Sequence, residues 1–293
     1  MNQELLINFV PTGMVPRQSN HPNVPEQPNE IIDEVLEAHA KGITIAHLHA
    51  RDSKGNPTHC PDVYAKIVEG IRKGAPDLII CLSLSGRGGI GLEQRAAPIY
   101  LKGPHRPDMG SLTLSSLNFT TKASVNSPET IVALAEKMNQ LGVIPELEAF
   151  DLGMVNYANY LLRKGILSGP IYINLILGNI AGAQCNLSHI AALLQDLPDN
   201  CFWSLGGIGK AQIPAVATAI AMGGGVRVGL EDNLMLHGRQ TSNQELLNTV
   251  HELAEIHGRK IMKPKSARKL LGMWEHDTDT ICYYGRRQGR AVA

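Results

Sequence analysis

The pattern that most limits the folds open to this chain is an alternation of short apolar runs with helix-like segments. Eight apolar or β-branched runs lie near residues 4–10, 43–48, 78–84, 110–114, 143–148, 170–176, 201–205 and 225–229. Helical periodicity follows most of them, at residues 29–40, 63–72, 128–141, 155–164, 187–194, 213–222 and 243–257, while a segment near 92–97 is short and irregular. Eight strands alternating with helices over about 250 residues predict an α/β fold, a (β/α)8 TIM barrel, rather than a doubly wound sheet.

The domain organisation follows from the same pattern. The chain contains no long Gly/Ser-rich or Pro-rich linker that would separate two domains. We therefore predict a single catalytic barrel domain over residues 1–272. Residues 273–293 lie beyond the last helix that the barrel needs and carry Arg286, Arg287 and Arg290. They are expected either to form a C-terminal arm that contacts another subunit or to be a loose terminus.

The charge composition excludes some functions and favours an oligomer. The 27 Lys and Arg residues balance 27 Asp and Glu residues, so the chain lacks the positive field that drives nucleic-acid binding. Only 18% of the residues are charged, against about 25% in average globular proteins. Either one large core or a surface partly hidden between subunits would account for this deficit. Because much of the charge falls at predicted strand ends, we favour a homo-oligomer.

Location is predicted from what the sequence lacks. No apolar stretch reaches the roughly 20 residues of a membrane span. The first ten residues have neither a basic region nor a small-residue cleavage site. The five cysteines have no CxxC spacing, as expected of reduced thiols. The sequence therefore predicts a cytoplasmic protein.

In a TIM barrel, catalytic residues lie where strands end and the following loops begin. His47 and His49 end the second predicted strand, and because they are two residues apart both imidazoles point to the same side. Two imidazoles are part of a catalytic zinc site, which takes three protein ligands and leaves a position open. The neighbouring Arg51 and Asp52 either orient an imidazole or form a loop salt bridge.

The end of the eighth strand carries a second group of charged residues. Glu231 is the best candidate for the third metal ligand, since a carboxylate completes a two-histidine zinc set. Arg227 and Asp232 would form a neighbouring pair in which the guanidinium lowers the carboxyl pKa and holds Asp232 ionised. Alternatively, residues 231–233 only cap the next helix.

Three further segments are candidates for proton transfer or ligand binding. Glu146 and Glu148 share the inner side of the fifth strand, where a glutamate suits proton transfer. The glycine-rich loop 83–91 offers Ser83 and Arg87 as donors to a carboxylate or CoA, or else is a mobile loop without a ligand. Residues 101–107 are expected to form the most basic loop near the barrel mouth, and three of them are candidates for CoA binding: Lys102, His105 and Arg106.

Several of these segments occur together, in the same order, in one family of enzymes. In chain order they are Thr12-Gly13, His47-Leu48-His49 with Arg51-Asp52, Ser83 with Gly86, Ser115-Ser116-Leu117-Asn118-Phe119, Pro145-Glu146-Leu147-Glu148 with Gly153-Met154, Gly206-Gly207-Ile208-Gly209, and Arg227-Val228-Gly229-Leu230-Glu231-Asp232-Asn233. Over residues 4–272 the chain resembles the β-keto acid cleavage enzymes.

The resemblance implies a zinc-dependent (β/α)8 enzyme, usually a homotetramer. Such an enzyme converts a β-keto acid and acetyl-CoA into acetoacetate and a new acyl-CoA. Zinc would act as a Lewis acid, although manganese, iron or cobalt suit the same ligand types. The family positions that carry over are metal ligands at His47, His49 and Glu231, a base assembly of Arg227 and Asp232, a further proton-transfer group at Glu148, and substrate contacts at Ser83, Gly86 and Ser111.

One position departs from the relatives that act on an amino-substituted substrate. Those enzymes have a glutamate that suits a substrate ammonium, where this chain has Val15. An ammonium without a counter-charge is costly in a partly buried pocket. The departure predicts a neutral or apolar acyl group. The alternative class is a metal-dependent hydrolase of the amidohydrolase type, which would also need histidines at later strand ends.

Overall fold

The computed structural model describes residues 4–273, and the C-terminal arm proposed for 273–293 lies outside that range except for its first residue. Eight parallel strands close into a barrel, as predicted. They are β1 (Ile7–Phe9), β2 (Ile45–Leu48), β3 (Ile79–Leu82), β4 (Met109–Thr113), β5 (Ile144–Ala149), β6 (Ile171–Leu177), β7 (Cys201–Gly207) and β8 (Gly225–Val228). The barrel closes where β8 pairs with β1, with Arg227 opposite Asn8.

Helices cover the outside of the barrel and pack their apolar faces on the strands. They are α1 (Pro28–Lys41), α2 (Pro61–Gly74), α3 (Leu92–Ala96), α4 (Pro128–Leu141), α5 (Leu152–Arg163), α6 (Leu187–Gln195), α7 (Gln212–Met222), α8 (Asn243–Ile256) and α9 (Pro264–Leu270). The irregular third segment is a five-residue helix continued by a 3₁₀ turn, Ala97–Tyr100. In α4 the predicted end signals are both used: Ser127 accepts from the Thr130 amide, and Gly142 ends the helix with φ 64°.

The N-terminal end of the barrel is closed by buried polar contacts. Asp108 lies just before β4 and accepts hydrogen bonds from Arg72 of α2 and from Arg268 of α9. Arg268 also donates to the carbonyl oxygens of Asp77 and Leu78. Because α9 is fastened here, this end of the barrel serves stability and leaves the opposite end for the chemistry.

Gly229 allows β8 to turn into the loop that carries the acidic residues. It has φ 152°, and an added Cβ would lie 2.2 Å from the Val10 carbonyl oxygen. The turn brings the Glu231 amide within 3.1 Å of the same carbonyl oxygen. The loops after β8 and β1 are thereby joined, and Glu231 and Asp232 are held at the C-terminal end of the barrel.

Two other expectations can be compared with the described residues. No helix among residues 4–273 is long and apolar enough to cross a membrane. Within the same range Cys60, Cys81, Cys185 and Cys201 are free thiols.

Candidate active site

The three residues expected to ligate a metal ion converge at the C-terminal end of the barrel. His47 Nε2 lies 3.3 Å from His49 Nε2, and His49 Nε2 lies 3.2 Å from Glu231 Oε1. The distance from His47 Nε2 to Glu231 Oε1 is 4.0 Å. Both histidines are buried, and the carboxylate is only 14% exposed. One imidazole from β2, one from the residue directly after it and one loop carboxylate therefore face a common point.

The chemistry of these atoms fits a divalent metal ion. Glu231 Oε2 is buried and has no hydrogen-bond partner among residues 4–273, and an unpaired buried carboxylate oxygen is costly. His47 Nδ1 is engaged by Glu146 Oε2 at 2.5 Å. When His47 is in its neutral form and donates from Nδ1 to Glu146, the lone pair of Nε2 faces His49 and Glu231. Two histidines and a carboxylate form a set typical of catalytic zinc.

We call His47, His49 and Glu231 the metal-type cluster. Beneath it, Glu146 of β5 is the centre of a buried polar network. Its Oε1 accepts from Asn8 and from Asn174, the latter at 2.8 Å. Its Oε2 accepts from Cys81 Sγ at 3.0 Å as well as from His47. Four strands thus contribute a donor to one fully buried carboxylate. The inward alternation of β5 placed Glu146 on the correct side, but its role in orienting His47 was not anticipated.

The electrostatics of the His47–Glu146 pair show that the carboxylate is ionised. Burial opposes charge on both groups, but the opposite charges outweigh it. Glu146 and Glu231 raise the pKa of His47 to about 9, and His47 with Arg227 lowers the pKa of Glu146 to about 2. Burial lowers the pKa of His49 against the pull of Glu231, so this imidazole is the more readily neutral one.

A second set of possible metal ligands shares His47 with the first. His47, Cys81 and Glu146 also lie close together. However, burial and the Glu146 carboxylate raise the pKa of the Cys81 thiol well above its ordinary value. Metals bind the thiolate, so a thiol that already donates to Glu146 is a poor ligand. The His47–His49–Glu231 set is therefore the better candidate.

Arg227 connects three carboxylates beside this set. Its Nε donates to Asp232 Oδ2 at 2.7 Å and its Nη2 to Glu231 Oε1 at 2.7 Å. Its Nη1 lies 3.4 Å from Glu148 Oε1, and the other oxygen of Glu148 accepts from Thr113. The arginine therefore fixes both the candidate ligand and the two groups proposed for proton transfer.

The expected pKa of Asp232 was wrong in direction. Arg227 does lower it, but burial, Glu231 and Glu148 act the other way, and the net pKa lies above the ordinary aspartate value. Since the strength of a general base rises with its pKa, this shift makes Asp232 a better proton acceptor. The alternative that residues 231–233 cap the next helix is wrong, because the N-terminus of α8 is capped by Ser242.

Of the expected substrate-contact residues, Ser83 and Gly86 lie on the loop after β3 and Ser111 lies in β4. Ser83 is buried directly after β3, and Ser111 Oγ accepts from the Leu84 amide at 3.0 Å. A Cβ on Gly86 would lie 2.5 Å from the Val125 carbonyl oxygen, so only glycine fits between the two loops. Ser111 therefore also positions the loop that carries Ser83.

Val15 lies on the loop after β1, which packs against the candidate ligand Glu231. A Cβ on Gly13 of this loop would lie 2.6 Å from Glu231 Cγ. Arg51 holds the loop by donating to the carbonyl oxygens of Gly13 and Pro16. Arg51 thus positions a loop rather than an imidazole, whereas Asp52 accepts from amides of its own turn. Val15 itself is 63% exposed at the rim.

The basic loop proposed for CoA is not near the barrel mouth. Lys102, His105 and Arg106 precede β4, and residues that precede a strand lie at the N-terminal end of the barrel. Arg106 donates to the Leu141 and Gly142 carbonyl oxygens at the end of α4. The three residues therefore lie at the end opposite to His47, and we do not retain them as part of the site.

The fold and the site together, a (β/α)8 barrel with a buried His–His–Glu cluster beside an arginine and two further carboxylates, are those of a TIM-barrel enzyme with a candidate metal site. The family model described as beta-keto acid cleavage enzyme matches residues 4–273. This chain belongs to that family, which confirms the resemblance inferred from its motifs.

Individual relatives agree with this assignment. The chain is 35% identical over 285 residues to a protein named 3-oxoadipate:acetyl-CoA acetyltransferase from Cupriavidus necator, with 95% of this chain and 98% of the relative covered. It is 33% identical over 274 residues to a 3-keto-5-aminohexanoate cleavage enzyme from Acetoanaerobium sticklandii, with 92% and 99% covered. Both comparisons span nearly the whole of each relative.

A solved structure shows the same fold. The apo structure of ObcA superposes with a TM-score of 0.74 at 22% sequence identity. The match covers 86% of this chain and 66% of that one. It supports the barrel architecture independently of the sequence motifs.

Proposed function

We propose that this protein is a metal-dependent β-keto acid cleavage enzyme that uses acetyl-CoA. It condenses a β-keto acid with acetyl-CoA and cleaves the product to acetoacetate and a new acyl-CoA. The observation that carries this proposal is the convergence of His47, His49 and the unpaired Glu231 oxygen beside the Arg227–Asp232 pair. Family membership makes the amidohydrolase alternative the less favoured one.

The metal ion would be held by His47, His49 and Glu231, with zinc the best match to these ligand types. When bound, it would supply Lewis-acid stabilisation of the negative charge that develops on the keto acid. The chain itself would supply the proton chemistry. Asp232, held by Arg227 Nε, would accept a proton from the methylene between the keto and carboxylate groups.

The remaining bond changes follow from that proton transfer. The carbanion adds to the thioester carbonyl of acetyl-CoA and expels the CoA thiolate. The thiolate then attacks the original keto carbon, the bond between that carbon and the former methylene breaks, and the acyl group leaves as acyl-CoA. The released acetoacetate carbanion then takes up a proton. Glu148, which Arg227 holds beside the site, is the group proposed to take part in this second proton transfer.

We also propose that the acyl group of the substrate is neutral or apolar. Val15 lies on the loop fixed against Glu231, so a substrate side chain leaving the metal-type cluster on this side would meet a branched apolar residue. The names of the relatives show that enzymes of this family act on substrates as different as 3-oxoadipate and 3-keto-5-aminohexanoate. We therefore expect the contact between Val15 and the substrate's acyl side chain to contribute to substrate specificity.

A panel of β-keto acids tests the activity and the specificity together. Purified protein is incubated with each acid, with and without acetyl-CoA, while acetoacetate and acyl-CoA are measured. We expect acetyl-CoA-dependent turnover that is fastest for short neutral acids. Hydrolysis without CoA would indicate the amidohydrolase class. Faster turnover of 3-keto-5-aminohexanoate than of neutral acids would contradict the proposed acyl class alone.

The Glu146 network makes a separate prediction about metal affinity. Glu146→Gln keeps the shape of the side chain but removes the charge that holds His47 Nδ1–H. Removing the partner of a metal-bound histidine typically weakens metal binding by about 10- to 100-fold. We expect this loss in a competition titration against a chelator of known affinity.

The control for this variant is Glu136→Gln, which changes an exposed glutamate on α4. It should bind metal as the wild type does. If Glu146→Gln folded normally and bound metal with unchanged affinity, Glu146 would not position His47. The affinity measurement separates this role from a general loss of activity.

We further propose that the enzyme is a cytoplasmic homo-oligomer, a tetramer as the family resemblance implies. Large apolar side chains at the mouth support an oligomer, because Ile180 is 70% and Leu187 80% exposed in the single chain. The low charged fraction of 18% points the same way.

A further inference from the structure

Arg87 is a cation at the barrel mouth that the proposed mechanism does not use. It lies on the glycine-rich loop after β3, and its backbone bridges to Ser124 on the loop after β4. The guanidinium carbon lies 3.6 Å from the centroid of the Phe119 ring. Phe119 in turn packs edge-on against Phe150, just after β5, with ring centroids 5.7 Å apart. The guanidinium is thus held on an aromatic platform beside the site.

Among residues 4–273, Arg87 differs from every other buried or half-buried arginine. The others each donate side-chain hydrogen bonds to protein oxygens: Arg17, Arg51, Arg72, Arg95, Arg106, Arg227, Arg259 and Arg268. The side chain of Arg87 has no such acceptor within this part of the chain and no carboxylate within 4.0 Å. Its face is covered by Phe119, which leaves the N–H groups at its edge free.

The charges of the surrounding site explain why a cation is needed there. Three nearly buried carboxylates, those of Glu148, Glu231 and Asp232, share the guanidinium of Arg227. The carboxylate of Glu146 lies buried beneath them. Both substrates of the proposed reaction are anions, so they would approach an unfavourable potential without a further cation.

We propose that Arg87 binds an oxyanion of a substrate, either a phosphate of the CoA thioester or the carboxylate that every β-keto acid carries. A guanidinium has five N–H donors and no acceptor, and its planar edge matches carboxylate and phosphate oxygens. Stacking on Phe119 fixes that edge before the ligand arrives. This inference rests on the proposed function for the identity of the two anions.

The glycines around Arg87 are consistent with such a contact. Gly86 is tightly packed against the next loop, which anchors one end of the segment. Gly88 and Gly89 have φ of 93° and 74°, and nothing lies within 4 Å of a Cβ built on either residue. The loop is therefore fixed before Arg87 and open after it, so a ligand oxygen can reach the guanidinium.

The test compares Arg87→Gln, Arg87→Lys and Arg163→Gln. Arg163 is an exposed arginine at the end of α5 whose side chain has no hydrogen-bond or salt-bridge partner within residues 4–273, so it controls for the loss of one positive charge. KM is measured for acetyl-CoA and for the best β-keto acid, each with the other saturating. Coenzyme A and acetoacetate are also titrated calorimetrically into each protein.

We expect Arg87→Gln to raise one of the two KM values by about 10-fold or more, since a charge-assisted hydrogen bond is lost. The value of kcat should change by less than about twofold, and Arg87→Lys should be intermediate because it keeps the charge but loses the planar fork. A higher KM for acetyl-CoA would assign the phosphate, and a higher KM for the keto acid would assign the carboxylate.

Unchanged KM values and unchanged calorimetric affinities in Arg87→Gln would overturn the proposal. So would equal losses in Arg163→Gln, because the effect would then be one of net charge. If wild-type protein shows no acetyl-CoA-dependent cleavage, the proposed function has failed. The titrations with coenzyme A and acetoacetate would still decide whether Arg87 binds either anion.

Discussion

Replacing His47 or His49 by alanine is expected to leave the purified protein without a tightly bound divalent metal ion and to lower its activity by about 1,000-fold or more. Each imidazole supplies one of three candidate ligands that face a common point. Two remaining ligands cannot hold the ion firmly in a catalytic site that already leaves a position open. Metal content by elemental analysis and cleavage rate with acetyl-CoA are the two measurements.

The two histidines differ in what else they hold, so both variants are needed. Loss of His47 removes a partner of the buried Glu146, and breaking a buried ion pair can cost about 3–5 kcal/mol of stability. Within residues 4–273 the polar contacts of the His49 ring are with His47 and Glu231 alone, so His49→Ala should fold normally. His257→Ala is the control, because within residues 4–273 its exposed ring bonds only to the Leu253 carbonyl in the last turn of α8. Metal-free wild-type protein, with both variants fully active, would remove the metal from the mechanism.

Asp232→Asn is expected to lower kcat by about 100- to 10,000-fold while leaving metal content unchanged. The amide keeps the size of the side chain and an oxygen that can accept from Arg227 Nε, but it is not a base. Burial raises the pKa of the native carboxyl, so the group replaced is a stronger base than an ordinary aspartate. The direct readout is exchange of the methylene protons of the keto acid in D₂O, followed by NMR without acetyl-CoA.

Asp52→Asn is the matched control for this variant. Asp52 also follows a strand at the barrel mouth, yet among residues 4–273 its carboxylate accepts hydrogen bonds only from its own turn, from Lys54 and Asn56. Its exchange and cleavage rates should equal those of the wild type. Undiminished exchange in Asp232→Asn would show that another group, with Glu148 the first candidate, removes the proton.

Much of the fold could be predicted because its determinants are local. Each strand is a short apolar run, and each long helix has one apolar face, so the alternation of the two periods fixes the barrel class. End signals such as Ser127 and Gly142 act through backbone hydrogen bonds of their own turn. The weak signal near residues 92–97 corresponds to a short helix and a 3₁₀ turn, Leu92–Ala96 and Ala97–Tyr100.

The position of the basic loop at the N-terminal end of the barrel follows from chain order. Residues 101–107 come before β4, whereas Ser83 and Arg87 come after β3, and these two positions lie at opposite ends of a parallel barrel. A count of charges along the chain does not record this difference. That Arg87 stacks on Phe119 and has no acceptor for its N–H groups within residues 4–273 is seen only in the tertiary structure.

The sequence by itself determined the barrel, the strand ends that carry the chemistry, and the pairing of His47-Leu48-His49 with the segment that contains Glu231. Only the tertiary structure decided that Glu146 orients His47, that Arg51 holds a loop, and that the pKa of Asp232 rises rather than falls. Periodicity depends on neighbours along the chain and can be read from it. Hydrogen-bond partners and burial depend on how strands far apart in sequence are brought together across the barrel, and that is fixed only when the barrel closes.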